Sequence, residues 1–138
     1  YGVECAIHSV DVTPPSLTIP NVTFHQCDGK NLGRIFDTSF LEAVKRPLLV
    51  IEDADHMPDT TLAVLRFFDP WMRSGEYVLV EDGLVVDQGW AEHFKGGPLA
   101  AIRQFLNERG MAYEIDRSFC DFYGRNLTWN VDGYLRRR

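Results

Sequence analysis

The segment LLVIEDADHMPDTTLAVL, residues 48–65, closes an apolar run on Glu52, Asp53, Asp55 and His56, with Asp59 close behind. Further along, YVLVEDGLVV closes a second apolar run on Glu81 and Asp82. Carboxylates brought together repel, so ionised they call for a cation, and one left unpaired shifts towards protonation. Oxygen donors with no cysteine nearby and a single histidine favour a hard ion, Mg first, with Ca or Mn as the other candidates. Asp53 from one strand end and Glu81 with Asp82 from the next supply three ligands and leave positions open for water or substrate. An open site of that kind can hold two substrate oxygens and lower the pKa of a hydroxyl. The competing reading of Glu81 and Asp82 is a solvated strand end, and Asp55 stands between ligand and helix-entry acid.

His56 lies three residues beyond Asp53 and is the most placeable general base, its pKa expected to rise among the acids. Its competing role is a helix-start histidine bonded to a carboxylate. His8 and His25, inside strand-like runs, are expected as packed side chains, and His93 falls in a loop. Asp11 also ends a strand-like run. An acid after the second strand of a nucleotide-binding sheet accepts the ribose hydroxyls, and Asp28 with Gly29 would then edge the adenine. The alternative for both acids is a capped loop.

The elements that must carry these residues alternate. Strands are expected at residues 5–10, 22–27, 48–51 and 77–80. TSFLEAV predicts a short helix capped by Thr38 or Ser39. Pro58 and Asp59 open a helix over 58–68, where Leu62, Leu65 and Phe68 recur at helical spacing. A third helix over 99–107 presents Leu99, Ile102, Phe105 and Leu106 and closes on Gly110. AYEID and NLTWNVDGYLRR supply two last strands joined by an irregular segment. This order predicts an α/β domain with a mostly parallel, Rossmann-like sheet covered on both faces and an antiparallel C-terminal edge pair. In such sheets ligands gather beyond the carboxyl ends of the strands, which is where Asp11, Asp28, Asp53, Glu81 and Asp82 fall.

At 138 residues the chain is one domain, and its net charge of -6 argues against a nucleic-acid or anionic-membrane partner. Cys5, Cys27 and Cys120 are odd in number and widely spaced, which fits buried free thiols in a reducing, cytoplasmic setting better than a disulfide framework. No run approaches a membrane span and no signal peptide is visible. Trp71, Trp90, Phe119, Phe122, Tyr123 and Trp129 could line an interface, but core packing is the commoner fate of such residues.

VIEDADHMPDTTLAVLRFFDPWMRSGEYVLVEDG, GGPLAAIRQFL, EIDRSF and TWNVDGYLRR, in that order, resemble the cephalosporin hydroxylase-like family of S-adenosylmethionine-dependent O-methyltransferases, to which rhamnosyl O-methyltransferases belong. The resemblance implies a class I methyltransferase sheet of strand order 3-2-1-4-5-7-6 with a Mg site at the ends of strands four and five. It implies Asp53, Glu81 and Asp82 as metal ligands, Asp11 at the cofactor ribose, and Asp28 with Gly29 at the adenine. His56 would take the proton of a hydroxyl on a sugar or glycosylated natural product, and the protein would form a homo-oligomer.

One departure is the family's glycine-rich loop after strand one, which has no counterpart here; KGGP comes after the fifth strand. Strand one is also the middle of the implied sheet, so without it strands two and three would face strands four and five across a gap. The chain, which opens YGVECAIHSVDV without an initiator Met, is therefore expected to be the C-terminal portion of one methyltransferase domain and inactive alone. About 60 to 100 further residues would complete a domain of ordinary size. Two rival readings remain: a metal-dependent glycosyltransferase using DAD at residues 53–55 as its D-x-D, and a non-catalytic binding or oligomerisation module.

Overall fold

The computed structural model describes residues 5–138. Strand β1 (Ile7–Asp11) pairs in parallel with β2 (Val22–Gln26). A 3-10 segment, Gly29–Arg34, and helix α1 (Thr38–Ala43) follow. Strand β3 (Leu49–Glu52), helix α2 (Pro58–Phe68), strand β4 (Tyr77–Val80), a 3-10 turn Gly83–Val86 and helix α3 (Gly97–Arg109) come next. The chain ends with β5 (Tyr113–Ile115), the short hairpin β6 (Asp121–Phe122) and β7 (Arg125–Asn126), and β8 (Tyr134–Arg137).

The sheet is divided at the gap expected where strand one is missing. β1 and β2 form one small sheet, and β3-β4-β8-β5 form another, with β8 antiparallel to both of its neighbours. That second order matches the 4-5-7-6 part of the implied sheet. Among the described residues no strand bridges the two, so β1-β2 is joined to the rest by packing. Phe36 stacks on Phe40 at 4.9 Å and meets Phe68 of α2 at 6.2 Å, while His8 and His25 stack beside them at 5.3 Å. The two imidazoles share a 3.0 Å Nδ1 to Nε2 contact, and burial, then His8, lowers the His25 pKa.

The expectation of cover on both faces fails at β3. Side chains alternate along a strand: Val50 and Glu52 turn inward, and Leu49 and Ile51 stand 58% and 56% exposed. The core lies on the other face, where Val50, Val78, Val80 and Leu135 meet Leu65 of α2 and Ile102 and Phe105 of α3. The cap of α1 is also different from the one expected. Asp37, not Thr38 or Ser39, accepts the Phe40 N–H at 2.8 Å, because its carboxylate reaches the free amides of the first turn. Among the six large aromatics expected in the core, Trp71 packs against it, whereas Trp90, Phe119, Phe122, Tyr123 and Trp129 are exposed. The segments that carry those five have few partners to bury them. Cys120 is buried and Cys5 is exposed, so the expectation of buried thiols holds for only part of the set.

Two glycines hold the C-terminal motif against β4. A Cβ on Gly83 would stand 2.6 Å from the Val131 carbonyl oxygen, and one on Gly133 would collide with the carbonyl oxygen of Val80. The Val80 N–H donates to the Gly133 carbonyl at 2.9 Å. EDG and VDG therefore interlock backbone to backbone. Gly133→Ala is expected to destabilise the protein by about 1 to 3 kcal/mol through forced overpacking, seen as a lowered urea midpoint.

At the opposite end of the sheet Glu76 is buried and accepts from Arg46 Nη1 at 2.7 Å and from the Leu48 and Arg73 N–H groups at 2.8 and 2.7 Å. Burial pushes its carboxyl up, but the two N–H groups and the Arg46 guanidinium outweigh it and hold the pKa below 4.5. A depressed folded pKa gives stability that is present above the unfolded value and lost as pH falls through the folded one. Glu76→Gln should lower the neutral-pH urea midpoint, and its midpoint should fall less than that of the wild type on acidification below pH 4.5.

Candidate metal and substrate site

Parallel pairing sets Glu52 beside Val80, and the Glu81 N–H donates to the Glu52 carbonyl at 2.9 Å. Asp53 and Glu81 thus leave the sheet side by side at its carboxyl edge. Two left-handed residues then turn the chains: His56 at φ 58° and Asp82 at φ 55°. Such backbone costs a non-glycine residue of order 1 to 3 kcal/mol and clusters at functional sites. The result is convergence. His56 Nε2 lies 2.8 Å from Asp82 Oδ2 and 3.7 Å from Asp53 Oδ1, with the edge of Phe94 against the imidazole at 5.4 Å between ring centres.

One ligand atom each from Asp53, His56 and Asp82 lie within 4.8 Å of one another. Ligands on opposite sides of a Mg ion stand about 4.2 Å apart, twice the metal–oxygen distance, and the Asp53 and Asp82 oxygens, within 4.8 Å of each other, are close to that separation. The Glu81 carboxylate is not among the atoms gathered this closely, though Glu81 leaves the same sheet edge, and burial, followed by the charges of Asp53 and Asp82, raises its pKa. Among the described residues no Lys or Arg forms an ion pair with Asp53, Glu81 or Asp82. The donor set is oxygen-rich, negatively charged and uncompensated, and it fits a hard divalent ion.

Asp55 is spent elsewhere. Its two oxygens accept from the Met57 N–H at 3.1 Å and the Thr60 hydroxyl at 3.0 Å, so it shapes the entry to α2. Asp59, in the first turn of that helix, pairs with Lys30 at 2.7 Å. Asp11 accepts the Thr13 N–H at 2.6 Å and Asp28 the Lys30 N–H at 2.8 Å, the capped-loop arrangement in both cases. They sit together at the carboxyl end of β1-β2, where the Cys27 N–H donates to the Asp11 carbonyl. Gly29 packs closely on Thr60 and Val64 of α2.

Glu81 and Asp82 also line an open cleft of about 640 Å³ with Leu127, Thr128, Trp129 and Asn130. Sequence reasoning grouped Trp129 with core aromatics and did not place it here, although a bulky ring in a segment of Thr, Asn, Asp and Gly is a signal of exposure. Glu52 was passed over as well. It is buried, burial raises its pKa, and its Oε1 has no hydrogen-bond partner.

The fold is shared with known proteins. A solved structure described as CmcI with Mg and SAM matches 99% of the chain and 54% of its own length at a TM-score of 0.57 and 20% identity, which makes this a methyltransferase-type α/β fold. The family model for Rhamnosyl O-methyltransferase/CmcI matches residues 20–138, and the chain belongs to that family. It is also 29% identical over 91 residues to the Rhamnosyl O-methyltransferase of Mycobacterium leprae (strain TN). That alignment takes in 66% of the chain and 39% of the relative, so the chain spans well under two thirds of the relative's length. No helix among the described residues is long and apolar enough to cross a membrane.

Mg is expected to raise the thermal midpoint of the protein, and Asp82→Asn should weaken Mg binding at least tenfold by calorimetry. Asp55→Ala should leave Mg affinity within about twofold of wild type while costing about 1 kcal/mol of stability through the lost helix-entry bonds.

Proposed function

We propose that the protein carrying this chain is an S-adenosylmethionine-dependent, divalent-metal-assisted O-methyltransferase acting on a hydroxyl of a sugar or glycosylated natural product. The chain would form the C-terminal portion of its single methyltransferase domain. The observation that carries this reading is the gathering of Asp53, His56 and Asp82, with Glu81 beside them, at the carboxyl ends of two adjacent parallel strands. Family membership supports the reaction class, and the mycobacterial relative, a rhamnosyl O-methyltransferase by name, supports a sugar acceptor.

In this reading Asp53, Glu81 and Asp82 hold Mg, which when bound supplies charge neutralisation and polarisation of the acceptor hydroxyl. Asp11, which has one carboxylate oxygen bonded to its own loop, would hold the ribose of S-adenosylmethionine with the other. Asp28 and Gly29 would border the adenine, where Gly29 lies close to Thr60 and Val64 of α2. His56 takes the acceptor proton. The Asp82 and Asp53 carboxylates stand beside its ring, and Phe94 packs against it. Positioning of this kind converts a bimolecular encounter into a reaction of fixed partners.

The complete protein, supplied with S-adenosylmethionine, Mg and a rhamnosyl acceptor, should release S-adenosylhomocysteine, and chelation by EDTA should stop it. His56→Ala should lower kcat by about a hundredfold to ten-thousandfold while S-adenosylhomocysteine and Mg still bind. An unchanged kcat in that variant would remove His56 as the base. Response to a sugar nucleotide in place of S-adenosylhomocysteine would favour a glycosyltransferase instead.

A further inference from the structure

Trp129 occupies an unusual position. Its indole is 59% exposed, and among the described residues no other aromatic ring packs on it, yet its backbone is firmly held. The Trp129 carbonyl accepts the Leu84 N–H at 3.0 Å, tying it to the turn that follows Glu81 and Asp82. On either side, Asn126 Nδ2 donates to the Thr128 carbonyl at 2.6 Å and the Asn130 N–H donates to Thr128 Oγ1 at 3.1 Å. A fixed main chain thus presents a large apolar ring to water on the wall of the cleft that holds two of the three carboxylates. Fixed exposed aromatics next to a few polar groups characterise small-molecule sites.

The lining combines two chemistries: Trp129 and the 68% exposed Leu127 are apolar, and Glu81, Asp82, Thr128 and Asn130 are polar or acidic. A ligand that fits must have an apolar face and several hydroxyls around its edge. A pyranose has both: axial C–H bonds on one face and hydroxyls on the rim. A phenol has a flat face but only one or two hydroxyls for these acceptors.

We infer that Trp129 is the stacking platform for the acceptor, binding the C–H face of a pyranose and turning its rim hydroxyls towards Glu81 and Asp82. This deepens the methyltransferase reading and rests on it for the reaction, though not for the binding. Trp129 positions the acceptor, and its loss should act on KM before kcat.

The test is a titration of the ¹⁵N-labelled full chain with methyl α-L-rhamnoside, and separately with catechol, following the indole N–H resonances. Trp129 is assigned through Trp129→Phe and compared with Trp90. The rhamnoside should shift the Trp129 resonance. Trp129→Ala should weaken rhamnoside binding at least tenfold, Trp129→Phe should stay within about threefold, and both should keep Mg and S-adenosylhomocysteine affinity within about twofold. Wild-type rhamnoside affinity in Trp129→Ala, a shift confined to Trp90, or a response to catechol alone would each overturn the inference. A wild-type protein that binds neither Mg nor S-adenosylhomocysteine would overturn the methyltransferase reading, while the rhamnoside shift would still decide the role of Trp129.

Discussion

The contact on which the site depends is between two pieces of backbone. Gly83 lies against Val131 and Gly133 against Val80, close enough that a methyl group at either glycine would meet a carbonyl oxygen. This apposition seats β8 beside β4 and puts the loop bearing Trp129 over the turn that bears Glu81 and Asp82. Dispersion and hydrogen bonding at such short range leave little freedom. The strand that completes the sheet and the loop that walls the cleft are therefore fixed by one interaction.

From that seam the charges are arranged at opposite ends of the sheet to opposite effect. Glu76, at the entry to β4, is buried and fully matched by Arg46 and two N–H groups, so it behaves as a staple. Glu81, at the exit of the same strand, forms no ion pair among the described residues and is pushed up in pKa by burial and by Asp53 and Asp82. The same residue type is compensated at one end and left in need of a cation at the other. The left-handed backbones of His56 and Asp82 belong to this second end, where strain is kept because the surrounding sheet and the Gly83 seam over-determine the turn.

Short parallel strands explain which carboxylates meet. β3 and β4 are adjacent and in register, so the residues after them share an edge, and Asp53 and Asp82 meet through His56. β1 and β2 form their own pair, so Asp11 and Asp28 share a different edge and close their own loops. The open face of β3, with Leu49 and Ile51 exposed, lies on the side away from α2 and α3.

Elements whose periodicity is strong and local are legible in the chain itself. The α2 boundaries follow from Pro58 and the Leu62 to Phe68 spacing, β4 from an unbroken apolar run, and the end of α3 from Gly110. Asp53, Glu81 and Asp82 stand out there too, because acids that end consecutive strands are a local signal. Other assignments depend on partners that the fold brings near. Asp55 is a helix-entry acid because Thr60 is within reach; Asp37 displaces Thr38 and Ser39 as a cap because its carboxylate faces the Phe40 amide. The exposure of Trp129 was decided in the same way: burial is set by what packs on a residue, and hydropathy records only what could be buried. The two DG motifs show the same limit, since each is an ordinary turn signal until the fold brings Gly83 to Val131 and Gly133 to Val80.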